Sequence, residues 1–371
     1  MTIMHVTKKY PPALGGDAVV VQNLERQQRA AGHNVVIVTS NCKVVTRTKG
    51  VYKVGLQDTP EQLDTITLRR IVSLLMLAVK MFFIIRRERP QVIHTHSIDM
   101  AFFVSFAARW FKVPLVHTFH IVTFYDAAQS PLRRKTELWF AKKAGLSAAT
   151  APNSFDVRKL QHGGLHHATL LPNGVDPTFW QGHTPRVRTA NEPFTFVTVG
   201  RLEKQKGYEF LIKAAAELAR TTAESFNVVI IGEGSLKAEL GALVRELRLT
   251  HVVKLVGRKD ADEIRELFAR ADAAVCTSLY ETTPLTLLEA WAAGLPVITT
   301  PVGIVREVPP TFRSAYVVSP QNDLALASIM RQCMADEAMR TLIAQSGKSE
   351  VQQYTWPTVA QTAESVYRSA L

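Results

Sequence analysis

The sequence predicts an α/β protein of two doubly wound parallel-sheet domains that face a central cleft. Three observations predict it. The chain has 371 residues, and at about 150 residues per domain this points to two domains. Short apolar runs alternate with helical segments along most of the length, the order that yields parallel strands with helices on both faces. The alternation lapses once, over Asp176–Pro193, where Pro, Thr, Gly and polar residues follow no period, and then restarts. The boundaries drawn from this are a first domain at 1–178, a linker at 179–193 and a second domain at 194–354.

In the first half, Thr2–Val6 is a short strand, and Tyr10–Gly16 a loop with two prolines and a glycine pair. Ala18–Ala31 is a helix with Val20, Val21, Leu24 and Gln28 at helical spacing, closed by Gly32. Val35–Val38 is the continuous apolar run of a buried parallel strand. A long helix over Leu68–Arg87 precedes Pro90, and strands Val92–His94 and Leu115–Thr118 flank a helix over Met100–Phe111. Leu132–Ala144 is a further helix and Thr169–Leu171 a short strand. Beyond the linker, strands Phe194–Val199, Val228–Ile231, Val253–Val256, Ala273–Cys276, Val297–Thr299 and Tyr316–Val318 alternate with helices over Tyr208–Arg220, Leu236–Leu247 and Leu285–Ala293. Asp260 and Glu263 form a capping-box pair that opens a helix to Arg270.

Composition narrows the function class. Hydrophobic residues are 47 % and charged residues 20 % of the chain, which excludes a disordered chain. Cys42, Cys276 and Cys333 are far apart and odd in number. They exclude a disulfide framework or a four-cysteine zinc site and suit a reducing compartment. The net charge of +12 is uneven: residues 1–200 carry 25 Lys and Arg against 12 Asp and Glu, a surplus of 13, and the remainder is near neutral. One domain is therefore expected to meet an anion: a membrane surface, an acidic substrate or, ranked last for want of any binding signature, nucleic acid. No apolar h-region follows Met1, and the longest apolar stretch, Ile71–Ile85, is broken by Lys80. It falls short of the roughly 20 residues needed to span a bilayer, so a cytoplasmic protein is expected.

The strongest motif runs from Tyr280 to Val297. A strand leads to a loop carrying Glu281, Thr283 can cap a helix with Pro284 in its first turn, and Glu289 follows eight residues after Glu281. A helix N-terminus binds anions, and carboxylates are pure acceptors for hydroxyls. Together they suit a nucleotide sugar, with phosphates on backbone N–H groups and hydroxyls on Glu281 and Glu289. A second motif, Val199–Gly207, also lies between strand and helix. Its Arg201 offers a planar fork and Lys206 a point charge for a departing diphosphate. It is neither a Walker A loop nor a GxGxxG turn, which speaks against ATP hydrolysis and NAD chemistry. Gly15-Gly16 and Gly232-Glu233-Gly234 are further strand-end turns that admit close backbone approach. His120 ends a strand at the presumed cleft edge and can contact a hydroxyl or phosphate or move a proton, and His94 and His96 flank another strand end. His162, His166 and His167 have no carboxylate or cysteine beside them, so no metal is expected there.

These residues resemble the retaining glycosyltransferases of family 4, which have the GT-B fold of two Rossmann-like domains. The resemblance covers nearly the whole chain: Pro11–Gly16, Gly32-His33, His120, Pro172–Asp176, Gly200-Arg201 with Lys206-Gly207, Gly232–Gly234, Gly257-Arg258, Glu281 with Glu289, and Tyr354–Trp356. It implies a nucleotide-sugar donor held mainly by the second domain, with Arg201 and Lys206 on the diphosphate, Glu289 on the ribose and Glu281 on the transferred sugar. The backbone of Thr282, Thr283, Pro284 and Leu285 would reach sugar and phosphate. Gly232–Gly234 and Val256–Arg258, with Gly257 and Arg258, would hold the base. His120 would lie near the sugar's C6 hydroxyl and anomeric centre, and Gly16 would approach the diphosphate. The catalytic set is then His120, Glu281, Arg201 and Lys206. The family uses no divalent metal, because Arg201 and Lys206 stabilise the leaving group. No cofactor is expected, the nucleotide sugar being a substrate. Retention is thought to proceed by front-face attack within an ion pair. Residues 355–371 would form a helix crossing back to the first domain. One position departs: Thr282 stands where the family usually has glycine.

The first domain would present the acceptor, and it carries the whole positive surplus. Its apolar helices at 68–89 and 101–111 have basic ends, which fits peripheral docking on an anionic bilayer and a lipid-linked or cell-envelope glycan acceptor, as in polysaccharide or glycolipid synthesis. A soluble acidic acceptor explains the charge equally. UDP-sugars are the favoured donors and GDP-mannose the second. A sugar-nucleotide epimerase on the same fold and a non-catalytic nucleotide-sugar binding protein are the alternatives.

Overall fold

Alternating strand and helix segments form two wholly parallel sheets in the computed structural model, which describes residues 1–11, 15–40, 50–54, 68–122, 130–181, 189, 192–306 and 314–371. The chain divides into two compact units, Met1–Asn173 with Trp356–Leu371, and Gly174–Thr355.

The first unit contains β1 (Thr2–Thr7), α1 (Gly16–Ala30), β2 (Asn34–Thr39), β3 (Val51–Lys53), α2 (Leu68–Glu88), β4 (Val92–Thr95), α3 (Ile98–Trp110), β5 (Leu115–Thr118), α4 (Pro131–Lys143), β6 (Ala148–Ala151), α5 (Ser154–His162) and β7 (Ala168–Leu170). Its strand order is β3-β2-β1-β4-β5-β6-β7. Ile3 on β1 is aligned with Val35 on one side and Val92 on the other. All three are buried, as strands covered on both faces require.

The second unit contains α6 (Pro177–Trp180), β8 (Phe194–Val199), α7 (Tyr208–Thr221), β9 (Phe226–Ile231), α8 (Lys237–Glu246), β10 (Val253–Gly257), α9 (Ala261–Ala269), β11 (Ala273–Cys276), α10 (Leu285–Ala292), β12 (Val297–Thr299), β13 (Tyr316–Val317), α11 (Asp323–Ala335) and α12 (Glu337–Glu350). Its order is β10-β9-β8-β11-β12-β13. Phe194, Phe196 and Trp291 are fully buried here, each contributing about 1.5–3 kcal/mol or more by apolar burial. The final helix, α13 (Trp356–Ala370), belongs to the first unit, packs on α1 and buries Trp356, Val359, Ala363 and Tyr367.

Each sheet reverses its strand order once, between β1 and β4 and between β8 and β11. Loops leaving the carboxyl ends there diverge and open a crevice. Gly15 and Gly16 follow β1, Arg201 follows β8 and Glu281 follows β11.

Several elements differ from expectation. The expected linker begins inside the second unit's packing. Asp176 caps α6 by accepting from the Thr178 and Phe179 amides at 3.1 and 3.3 Å, and Trp180 is buried with its ring 5.5 Å from that of Phe268. Residues 182–188, 190 and 191 of that segment lie outside the described residues, as does Cys42. β3, β6, α5, α11 and α12 were not expected. β6 is Ala-Ala-Thr-Ala, a poor strand sequence that becomes one because β5 and β7 pair with it on both sides. The capping box of Asp260 and Glu263 forms as expected.

The long helix α2 is two-faced. Leu74, Leu77, Met81, Ile84 and Ile85 are buried, whereas Ile71, Leu75, Val79 and Phe83, spaced four apart, are exposed. Among the described residues, no helix is long and apolar enough to cross a membrane.

Candidate functional site

In the second unit, backbone hydrogen bonds lock together the turns that end β8, β9 and β10. The Gly200 amide donates to the Ile231 carbonyl at 3.0 Å, Leu202 to Glu233 at 2.9 Å and Gly232 to Gly257 at 2.9 Å. Gly232 has a φ of +149°, and a Cβ there would overlap the Gly200 carbonyl, so only glycine allows this approach. Gly234 accepts from the Lys237 amide at 3.3 Å. Arg258 is exposed just beyond β10. The turn after β8 contains a short 3₁₀ segment, Lys204–Lys206, and Gly207 with a φ of +65°. A Cβ on Gly207 would strike the Thr277 carbonyl oxygen, so the loops after β8 and β11 touch backbone to backbone.

This contact brings the cation of one motif to the acid of the other. Lys206 Nζ and Glu281 Oε1 form an ion pair. Ser278 Oγ donates to the same carboxylate oxygen at 3.2 Å. Thr277 Oγ1 donates to the Lys206 carbonyl at 2.9 Å, the Leu279 amide to Gln205 at 2.8 Å, and Gln205 Nε2 to the Tyr280 carbonyl at 2.7 Å. The Glu281 carbonyl accepts from the Gly303 amide at 3.1 Å. Lys206 and Glu281 are mostly withdrawn from water, at 17 % and 14 % exposure, so each charge depends on the other. Arg201 is exposed and makes no ion pair among the described residues.

The acidic helix starts slightly later than expected. Pro284 occupies the cap position, α10 begins at Leu285, and the Thr283 hydroxyl donates to the Thr282 carbonyl at 2.8 Å. Thr282 is buried, and it is not among the non-glycine residues with positive φ. The backbone therefore accepts a side chain at the position where the family resemblance leads one to expect glycine. Glu289 lies one turn into α10 and is half-buried, and its carboxylate makes no hydrogen bond or ion pair among the described residues. Burial alone pushes its carboxyl up to about 7.

The first unit holds the remaining candidates. Gly15 caps α1 and Gly16 begins it. His120 lies two residues beyond β5 and is half-buried. Burial lowers its pKa, and the nearby Asp17 carboxylate opposes this. Its Nε2 is 3.0 Å from His96 Nδ1, and His96 Nε2 is 3.0 Å from His5 Nδ1. His5 Nε2 meets Gln28 Oε1 at 2.7 Å, and Gln28 Nε2 meets the Tyr367 hydroxyl at 3.2 Å. That hydroxyl lies 2.7 Å from His94 Nδ1, and His94 Nε2 lies 2.7 Å from Thr118 Oγ1. Burial lowers the pKa of His5, His94 and His96 below the ordinary imidazole value, and that of His117 to about 3.

Among the described residues, the histidines near enough to share an ion are His5, His94 and His96, not His162, His166 and His167. The structure thus unites Lys206 with Glu281 and joins the 200, 232 and 257 turns, while His120, Gly15 and Gly16 belong to the other unit. Sequence reading missed Thr277, Ser278, Gln205 and Gly303, whose service to the site is mostly backbone bonding. It also missed His5, Gln28 and Tyr367, which only the packing of α1, β1 and α13 brings together.

Residues 14–179 match the family described as Glycosyltransferase Family 4 and residues 183–350 the family described as Glycosyl transferases group 1. The chain is 29 % identical to the glycogen synthase of Mycobacterium tuberculosis, covering 100 % of this chain and 95 % of that protein. Among solved structures it is similar to the sucrose-phosphate synthase of Thermosynechococcus elongatus, with a TM-score of 0.83, 22 % identity and coverage of 99 % and 98 % of the two chains. It is likewise similar to HepE of Anabaena, solved with UDP, with a TM-score of 0.78, 18 % identity and 100 % coverage of both chains. Two parallel Rossmann-like units with the last helix returned to the first, and two family matches that together span most of the sequence, make this chain a member of the family 4 retaining glycosyltransferases, GT-B enzymes that use a nucleotide-sugar donor.

Proposed function

We propose that the donor is a UDP-sugar, bound by the second unit through the loops after β8 and β11. The choice of uracil follows the family resemblance, while the observation that carries this placement of the donor is the Lys206–Glu281 ion pair at the strand-order reversal. It sets a diphosphate-binding cation against a hydroxyl-binding acid at one sheet edge. Lys206 and Arg201 hold the diphosphate, Glu281 orients the transferred sugar, and Glu289 accepts from the ribose hydroxyls. Backbone N–H groups of Thr282, Thr283 and Leu285 meet sugar and phosphate oxygens at the start of α10, with Pro284 setting the turn. Gly232, Gly234, Gly257 and Arg258 frame the base. For Gly15, Gly16 and His120 of the first unit, the proposed roles are those the family resemblance implies, the glycines on the diphosphate and His120 on the sugar.

The chemistry follows from these placements. The bond between the anomeric carbon and the diphosphate breaks, and charge builds on the departing phosphate. Fixed cations stabilise that charge without the reorganisation water would need. An acceptor hydroxyl then attacks from the face the diphosphate leaves and passes its proton to the departing phosphate oxygen, so configuration is retained. Arg201 and Lys206 supply the positive charge, so the reading includes no divalent cation.

A thermal-shift panel of UDP, GDP, ADP and their sugar conjugates tests the donor, since a ligand of the folded state raises its melting temperature by mass action. UDP species should stabilise the wild type and fail to stabilise Lys206→Ala. A response to GDP-mannose alone replaces the base assignment.

The acceptor reading rests on the exposed face of α2. Leu75, Val79, Phe83 and, on α3, Phe106 and Trp110 are exposed, with Arg86, Arg87 and Arg109 in the last turns of those helices. Apolar side chains rimmed by arginines suit an anionic lipid surface. This supports a lipid-linked or cell-envelope glycan acceptor over a soluble one.

A further inference from the structure

We infer that the buried hydrogen-bond network of the first unit fixes the tautomer of His120, with the proton on Nε2 and Nδ1 left as the acceptor nitrogen. The argument is proton counting. A backbone carbonyl only accepts, a hydroxyl has one proton, and a neutral imidazole has one donor and one acceptor nitrogen.

One chain of deductions starts at the His117 carbonyl. Thr150 Oγ1 donates to it at 3.4 Å. Thr150 must then accept from Thr118 Oγ1, 2.6 Å away. Thr118 has spent its proton, so it accepts from His94 Nε2. His94 Nδ1 is therefore bare and accepts from the Tyr367 hydroxyl. Tyr367 in turn accepts from the Gln28 amide nitrogen, which turns the Gln28 oxygen toward His5.

The same polarity then runs outward to the site. His5 Nε2 donates to Gln28 Oε1, leaving His5 Nδ1 to accept from His96 Nε2. His96 Nδ1 is then an acceptor, and its partner His120 Nε2 must carry the proton. The Gln28 amide, with its nitrogen toward Tyr367 and its oxygen toward His5, has the orientation this polarity requires. Each imidazole is neutral, because burial lowers the pKa of His5, His94, His96 and His120.

The count also decides against an ion at His5, His94 and His96. These rings lie close enough to share one, but both nitrogens of each already have hydrogen-bond partners. Gln28 and Tyr367 are thus positioning residues, acting on His120 through the rings of His5 and His96. Tyr367 does so from the C-terminal helix, which gives that helix a part in the chemistry beyond packing. The consequence for transfer rests on the proposed role of His120; the proton placement does not.

Long-range 1H–15N NMR of the full chain with 15N-labelled histidine reads the tautomer directly. The His120 signals are identified by their loss in His120→Asn. In the wild type, Nε2 should carry the proton. Tyr367→Phe removes the hydroxyl that orients Gln28, and Thr150→Val, a near-isosteric change on β6, removes the anchor at the other end. Each should give mixed His120 tautomers and lower kcat several-fold with little change in the donor KM. A wild-type proton on Nδ1, an unchanged tautomer in both variants, or a stoichiometric metal bound to the histidines overturns the inference. A tautomer that mixes while kcat stays unchanged upholds the network and refutes the role of His120 in transfer.

Discussion

Glu289→Gln probes the proposed ribose contact through stability and binding together. Burial pushes the Glu289 carboxyl from an ordinary 4.5 up to about 7, and no cation among the described residues compensates. An acid held above its unfolded value keeps its proton in the native state while the unfolded chain releases it. Stability therefore falls as pH rises from about 4.5 through about 7, and the loss is complete above that. A gap of this size corresponds to ~3 kcal/mol at pH 8 and to under ~1 kcal/mol at pH 5. Glutamine has nearly the same shape and no charge. The ligand-free variant should be more stable than wild type at pH 8 by up to ~3 kcal/mol. At roughly 2–4 °C per kcal/mol for a unit of this size, it melts about 6–12 °C higher. At pH 5 the two should nearly coincide. With donor added the variant's advantage at pH 8 should shrink by ~1.4 kcal/mol, because it lacks the ionised acceptor, worth about tenfold in affinity. Calorimetric melting at both pH values, with and without UDP-sugar, makes the measurement. A variant no more stable than wild type at pH 8 refutes the burial cost, and one that keeps the full donor-induced shift refutes the ribose contact.

Three further outcomes are expected. Lys206→Ala should lower kcat by about 10²–10³-fold through loss of leaving-group stabilisation, while Lys206→Arg recovers part; initial rates at saturating donor decide, and a kcat within twofold of wild type would sink the assignment. Gly232→Ala drives a Cβ into the Gly200 carbonyl at positive φ, so urea unfolding should show a loss of about 2 kcal/mol or more; a neutral variant contradicts the locked turns. Leu75→Asp with Phe83→Asp alters only the exposed stripe of α2, so it should abolish salt-sensitive pelleting with anionic vesicles while leaving donor hydrolysis intact; a wild-type protein that ignores such vesicles removes the docking surface.

Much of the fold was legible because parallel strands are buried on both faces and read as unbroken apolar runs. Val35–Val38 and Val228–Ile231 announce themselves in this way. Local chemistry also shows: Asp260 and Glu263 cap the helix their spacing predicts. β6 and α6 were not legible. Four small residues become a strand only between two neighbours, and a segment with linker composition becomes structure by burying Trp180.

The candidate site divides along the same line. The sequence by itself determined which groups are available: Arg201, Lys206, Glu281 and Glu289 follow strands in motifs that suit a nucleotide sugar, because the needed residue types and turns are local. The tertiary structure alone decided how they are charged and paired. Lys206 finds Glu281 because the loops after two sheet neighbours, distant in sequence, touch through backbone. Thr282 is tolerated because its backbone stays out of the left-handed region. The Glu289 carboxyl is raised to about 7 because the fold draws it partly out of water, and His5, Gln28, His94, His96 and Tyr367 join only when α13 returns to α1. Proton placement depends on who donates to whom across the fold, and no local pattern encodes that.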